Sequence, residues 1–220
     1  MKLRWLLLAF AGALASGGLL LAYESTRPIV KDGGPLVMES RHDVTAEMRK
    51  DSAARELTPA PKFSRTDHRG RPVTIGDPQA ARPQLVLFIK FGCPCSIDVE
   101  PIYHKLYDRY GDKVDFVGVI DKPVESARQW QDDLLTPFSI VPDPEKKIAR
   151  AFRVGRSAYA ALIREDGRIV RLWPGYSRGI LAEVNELIAS EIGLDAKPFD
   201  VAYAPEAETA GCDFFPGQRL

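Results

Sequence analysis

The sequence predicts an α/β domain built on a central mixed sheet, with helices on both faces and an N-terminal β-hairpin extension. Short apolar runs at residues 85–89, 114–120 and 138–141 alternate with segments of helical apolar spacing, the pattern of parallel strands joined by helices. Residues 159–163 and 169–173 face each other across Glu165-Asp166-Gly167-Arg168, which reads as an antiparallel hairpin turned at Gly167. Ile180, Leu181, Val184, Leu187, Ile188 and Ile192 then keep one face of a closing helix apolar, with Ser177 as its cap.

Taken from the start, Lys2 and Arg4 precede an apolar run over residues 5–23. Its length suits a membrane crossing, and the basic flank keeps the N-terminus in the cytoplasm. Residues 1–23 are therefore read as a signal-anchor, giving a single pass of the inner membrane with the domain on the periplasmic or other extracytoplasmic side. The alternative is secretion after cleavage near Ala13-Leu14-Ala15. Residues 24–57 are charged and poor in aromatics and read as a linker, with one short helix expected within 45–57.

The domain is expected to occupy residues 58–194. It opens with two short strands around Asp67-His68-Arg69-Gly70, placing His68 at a solvent-facing tip. The run at 85–89 reads as a strand buried on both faces. A helix follows, with Val99, Ile102, Tyr103, Leu106, Tyr107 and Tyr110 on one side and His104 just outside that stripe as a structural residue. Asp121 and Pro123 start a helix running to Leu135, and Asp143-Pro144 precedes a helix carrying Ile148 and Phe152. Residues 195–220 form a tail that the fold does not need; it holds the third cysteine, Cys212. Lysine plus arginine and aspartate plus glutamate balance at 30 each, which removes the electrostatic case for binding nucleic acid.

Chemistry is concentrated at the end of the central strand. That strand passes through Lys90, Phe91 and Gly92 into Cys93-Pro94-Cys95-Ser96 and delivers two cysteines to a helix N-terminus. Unpaired N–H groups and the helix dipole there favour a thiolate over a thiol, so Cys93 is the expected nucleophile, with Lys90 able to add to the effect. Two pairings are open. Cys93 and Cys95 can close a tight, readily reduced disulfide, or Cys212 can return to resolve an adduct on Cys93, with Gly211 bending the tail and Phe214 or Phe215 docking it.

From residue 60 to about 194 the chain resembles the thioredoxin-like redoxin superfamily. That group includes the alkyl hydroperoxide reductase and thiol-specific antioxidant proteins and the membrane-anchored thiol-disulfide oxidoreductases. The resemblance rests on Pro61-Lys62-Phe63-Ser64, Gly70-Arg71-Pro72-Val73, the Cys93 turn, Pro101, Asp143 with Ile148-Ala149-Arg150-Ala151-Phe152, and the run from Leu162 to Val170. It implies Cys93 as attacking cysteine, but three departures stand out. Ser96 occupies the usual second-cysteine position, and the second thiol is Cys95. The proline and threonine that precede the peroxidatic cysteine of peroxiredoxins are replaced by Val86 and Lys90. The substrate-docking cis-proline is replaced by Ala158 after Ser157, where a cis bond costs roughly 3–4 kcal/mol and a trans peptide is expected.

The leading expectation is an exported, membrane-tethered thiol-disulfide oxidoreductase acting on protein thiols or disulfides. Its catalytic cysteines are Cys93, Cys95 and Cys212, with Ser157 and Ala158 at the docking edge and Lys90, Pro94 and Ser96 in support. No cofactor or metal is called for. One alternative is a thiol peroxidase consuming hydroperoxides; a second is a Cu(I)- or zinc-binding module using the soft thiolates.

Overall fold

The computed structural model describes residues 42–217. The apolar run assigned to a membrane anchor lies outside the described residues. Among those residues no helix is long and apolar enough to cross a membrane.

The core is a five-stranded sheet in the order β5-β4-β3-β6-β7. Its strands are β3 (Gln84–Ile89), β4 (Asp115–Ile120), β5 (Ser139–Pro142), β6 (Tyr159–Ile163) and β7 (Ile169–Trp173). β3 pairs parallel with β4, and β4 with β5, whereas β6 runs antiparallel to both β3 and β7. A separate antiparallel hairpin, β1 (Phe63–Thr66) with β2 (Pro72–Ile75), precedes it. Every residue of β3 is buried, as its unbroken apolar run requires of a strand covered on both faces.

The pleat divides the core. Leu85 and Leu87 of β3 point to one face, where they meet α2 (Pro94–Tyr110) and α5 (Arg178–Glu191) through Val99, Leu106, Leu181 and Val184. Val86 and Phe88 point to the other, against Ile148 and Phe152 around α4 (Lys147–Ala151) and Ile75 of the hairpin. α3 (Val124–Leu134) covers Ile120 and Ile140 with Ala127 and Trp130. Ser177 caps α5 by accepting from the Ile180 N–H at 3.1 Å.

Three features differ from the sequence expectation. His68 is buried, not solvent-facing: its main-chain N–H donates to Ile140 O at 2.8 Å, and its Nδ1 accepts from Ile140 N–H at 3.1 Å. The turn folds back onto β5, a partner that local turn chemistry does not reveal. The charged stretch expected to be linker contributes α1 (Ala46–Ala53), capped by Thr45, with Ser52 buried and Met48 packed on the second face of the core. The tail is likewise built in. Thr209 bridges to both Asp43 and Tyr176, and Ala210, Phe214 and Phe215 are buried.

Candidate active site

β3 ends at Ile89, and Gly92, at φ +75°, turns the chain so that Cys93 becomes the residue preceding α2. The Cys93 carbonyl accepts from the N–H groups of Ser96 and Ile97, starting the helix, and Pro94 fits the first turn, where its missing N–H costs nothing. Cys93 is only 2 % exposed, whereas Cys95 and Cys212 are half-buried, and all three are unbridged.

Hydrogen-bond donors converge on the Cys93 sulfur. The Ser157 hydroxyl donates from 3.3 Å and the Cys212 main-chain N–H from 3.2 Å. The Cys95 thiol is the strongest single influence; with the Cys212 thiol, the Ser157 hydroxyl and the Cys212 N–H, it outweighs burial and brings Cys93 down to about 3. The partners move the opposite way. Cys95 is pushed far above the ordinary thiol range because its proton is held on Cys93. Cys212 is pushed up to about 11 by burial and by its own hydrogen bond to Cys93. The cluster thus contains one thiolate and two thiols that solvate it.

The strand register carries Ser157 to Cys93 and sets Ala158 beside the end of β3. Ala158 N–H donates to Phe88 O at 2.8 Å, just ahead of the β3–β6 pairing. No peptide among the described residues is cis, and Ala158 sits at φ +61°, a left-handed backbone that an alanine adopts at a cost of roughly 1–2 kcal/mol.

Cys212 arrives on an antiparallel segment. Gly211 N–H donates to Ser157 O at 2.9 Å, Ser157 N–H to Cys212 O at 3.0 Å, and Phe214 N–H to Gly155 O at 2.8 Å. Gly211 does not serve as a flexible bend, as expected from sequence; it permits contact. A β-carbon there would lie 2.0 Å from Ser157 Oγ and 2.8 Å from Ser157 main-chain atoms.

Lys90 does something other than expected. Its ammonium donates to Asp213 O at 2.6 Å, and its charge acts on Cys212, so it holds the tail down. Ser96 is buried, and its hydroxyl accepts from Lys90 N–H at 3.3 Å. Two neighbours escaped the sequence reading. Burial, then the negative charge at Cys93, raises the Asp98 carboxyl. Burial raises the Tyr176 phenol, which also hydrogen-bonds Cys95, and the negative charges of Asp98 and Cys93 add to the effect. Asp98 follows Cys95 by one helical turn, a spacing that pointed to it; Tyr176 lies on a distant segment, and no local signal did. His104 is half-buried, with Nε2 3.4 Å from Glu100, consistent with a structural role.

Among the described residues no group of three or more His, Cys, Asp or Glu side chains is placed to hold a metal ion. The Cu(I) or zinc reading therefore gains no support from the described residues.

Comparison with known proteins agrees with this architecture. The model of the AhpC/TSA family matches residues 57–171. None of the curated proteins matches. Among solved structures, an uncharacterized conserved protein from Geobacillus kaustophilus is similar at TM-score 0.58 and 18% identity, covering 74% of this chain and 94% of that one. The thioredoxin domain of a thiol-disulfide oxidoreductase from Bacteroides vulgatus gives 0.53 and 20%, covering 60% and 97%. Peroxidoxin BcpB from Mycobacterium tuberculosis gives 0.53 and 15%, covering 62% and 96%. At these identities the likeness shows a thioredoxin-like fold.

Proposed function

The chain belongs to the AhpC/TSA family, and from that premise we propose that it is a thiol-disulfide oxidoreductase whose nucleophile is Cys93. The observation that carries the reading is the meeting of all three cysteines around one ionised sulfur. The Cys93 thiolate attacks one sulfur of a substrate disulfide. A Cys93–substrate bond forms, the substrate S–S bond breaks, and the departing sulfur leaves with the electron pair and is protonated from Cys95 or Cys212. The thiolate so generated then attacks Cys93, expelling the second substrate sulfur as a thiolate that takes a proton from solvent and leaving one disulfide in the protein. The substrate gains two electrons and the protein loses two; the same steps run backward transfer the disulfide outward. The apolar run over residues 5–23 supports tethering to the membrane with this chemistry outside the cytoplasm.

A second reading, thiol peroxidase, is favoured by the burial of Cys93 beneath the tail, which suits a small oxidant. There the thiolate takes the terminal peroxide oxygen, an alcohol or water leaves, and a neighbouring thiol converts the sulfenic acid to a disulfide with loss of water. Val86 and Lys90, in place of the peroxiredoxin proline and threonine, weigh against it.

The test is turnover of insulin disulfides against hydrogen peroxide by the full-length chain with dithiothreitol as electron donor, together with intact-mass analysis of the cysteine variants. Under the first reading insulin is reduced, Cys93→Ser abolishes the activity, and the adduct on Cys93 persists only when Cys95 and Cys212 are both replaced by serine. Peroxide consumption without insulin turnover transfers the assignment to the second.

A further inference from the structure

The tail does more than bring Cys212 to the site. Gly155, Ser157 and the segment from Gly211 to Phe214 form a short antiparallel ladder of three main-chain hydrogen bonds, with Arg156 opposite Asp213. The ladder places a cysteine against Cys93 with its N–H on the nucleophilic sulfur. An extended segment of another protein presenting a cysteine to Cys93 would use these same main-chain groups, and they are taken. The occupant is clamped beyond its cysteine. Lys90 holds Asp213 O, Phe214 and Phe215 are 2 % and 4 % exposed, and the Arg150 guanidinium lies 4.5 Å from the Phe215 ring centre.

We propose that residues 211–215 are an internal stand-in for the substrate strand, that they must leave the Ser157 edge before a protein disulfide reaches Cys93, and that the strand replacing them carries glycine immediately before its reacting cysteine. The glycine requirement follows from the surface being filled. The space beside Ser157 that excludes a β-carbon at Gly211 excludes one from any strand bound in the same register. The inference rests on Cys93 acting in disulfide exchange. It adds a gate and a sequence preference to that reading.

The full-length chain tests it with two activated peptides, Ala-Gly-Cys-Asp-Phe and Ala-Val-Cys-Asp-Phe, each carrying its cysteine as a 2-thiopyridyl disulfide. Cys93 attacks the peptide sulfur, the bond to the thiopyridyl group breaks, and thiopyridone leaves with the electron pair and is protonated from solvent. Release is followed at about pH 5, where Cys93 is the ionised thiol, and is assigned to Cys93 by its loss in Cys93→Ser. Phe215→Ala loosens the clamp; should it fail to fold, Lys90→Met removes the bond to Asp213 O. The loosened chain is expected to react with the glycine peptide about tenfold faster than the unaltered chain, because a larger fraction of molecules offers a free edge. It is expected to favour the glycine peptide over the valine peptide by about the same factor. Equal rates for the unaltered and loosened chains, or equal rates for the two peptides, overturn the proposal. Parallel reaction with 2,2′-dithiodipyridine, which needs no strand edge, separates the two levels. If Cys93 takes up that reagent while the peptide differences are absent, the gate alone fails. If Cys93 takes up neither, the exchange reading falls and the gate with it.

Discussion

The main-chain N–H of Cys212 lies 3.2 Å from the Cys93 sulfur, joining the beginning of one helix to a segment near the end of the chain. It belongs to the set of donors that holds Cys93 ionised, and each member of that set makes a distinct claim on the chemistry.

Cys95→Ala and Ser157→Ala each remove one donor to the thiolate. Each is expected to move the midpoint of the iodoacetamide rate-against-pH profile of Cys93 upward. Cys95→Ala should move it further, because its thiol is the largest influence. A profile unchanged in both variants would show that the helix terminus alone sets the acidity.

Stability is linked to the same proton. Cys93 titrates at about 3 in the folded protein and near the ordinary thiol value of 9.0 in the unfolded chain. Between those values the unfolded chain binds the extra proton. The contribution of Cys93 is therefore fully present above the unfolded value and is lost as the pH falls toward the folded one. Cys212, pushed up to about 11, acts in the opposite sense: its contribution holds below its ordinary value and is lost as the pH rises through about 11. The urea midpoint of the reduced protein should rise between about pH 5 and about pH 8 by more than that of Cys93→Ser. Parallel curves for the two proteins would contradict this.

Ala158 shows how far this edge departs from a proline-bearing one. Its φ of +61° is closed to proline, whose ring holds φ near −65°, and its N–H donates to Phe88 O. Ala158→Pro is expected to lower stability in urea by at least about 2 kcal/mol through backbone rearrangement and a stranded carbonyl. Ala158→Gly should be neutral or mildly stabilising, because glycine accepts the left-handed backbone.

Asp143 is buried and accepts from the N–H groups of Lys147, Ile148 and Ala149 at 2.9, 2.9 and 3.1 Å. Those donors open α4, a helix of 5 residues too short to stand without help. Asp143→Ala is expected to cost about 1–2 kcal/mol in urea denaturation, with Cys93 alkylation at neutral pH unchanged. A larger loss accompanied by altered alkylation would mean that this face of the sheet supports the site more directly.

What could be read from the chain was whatever repeats or terminates locally. β6 and β7 and the Ser177 cap depend on neighbours a few residues away, and the structure bounds both strands as read. Cys93 as the residue leading into α2 is legible for the same reason, since strand, glycine turn and helical period are contiguous. Charge and low hydrophobicity also describe local composition; they left room for a short helix within 45–57 but hid its docking, through Met48, Ser52 and main-chain bonds from Val44 and Leu57.

The sequence by itself determined the layered α/β architecture and the sulfur at the head of the helix, because periodicity, turn residues and helix-end electrostatics act over a few positions. Cys212 entered the sequence reading as one of two open pairings and Ser157 through a resemblance; only the tertiary structure decided that both donate to that sulfur. Ser157 lies 64 positions from Cys93 and Cys212 lies 119, and neither segment carries a local sign of the other. Their meeting follows from the β3–β6 register and from aromatic burial of the tail, which are properties of the packed whole.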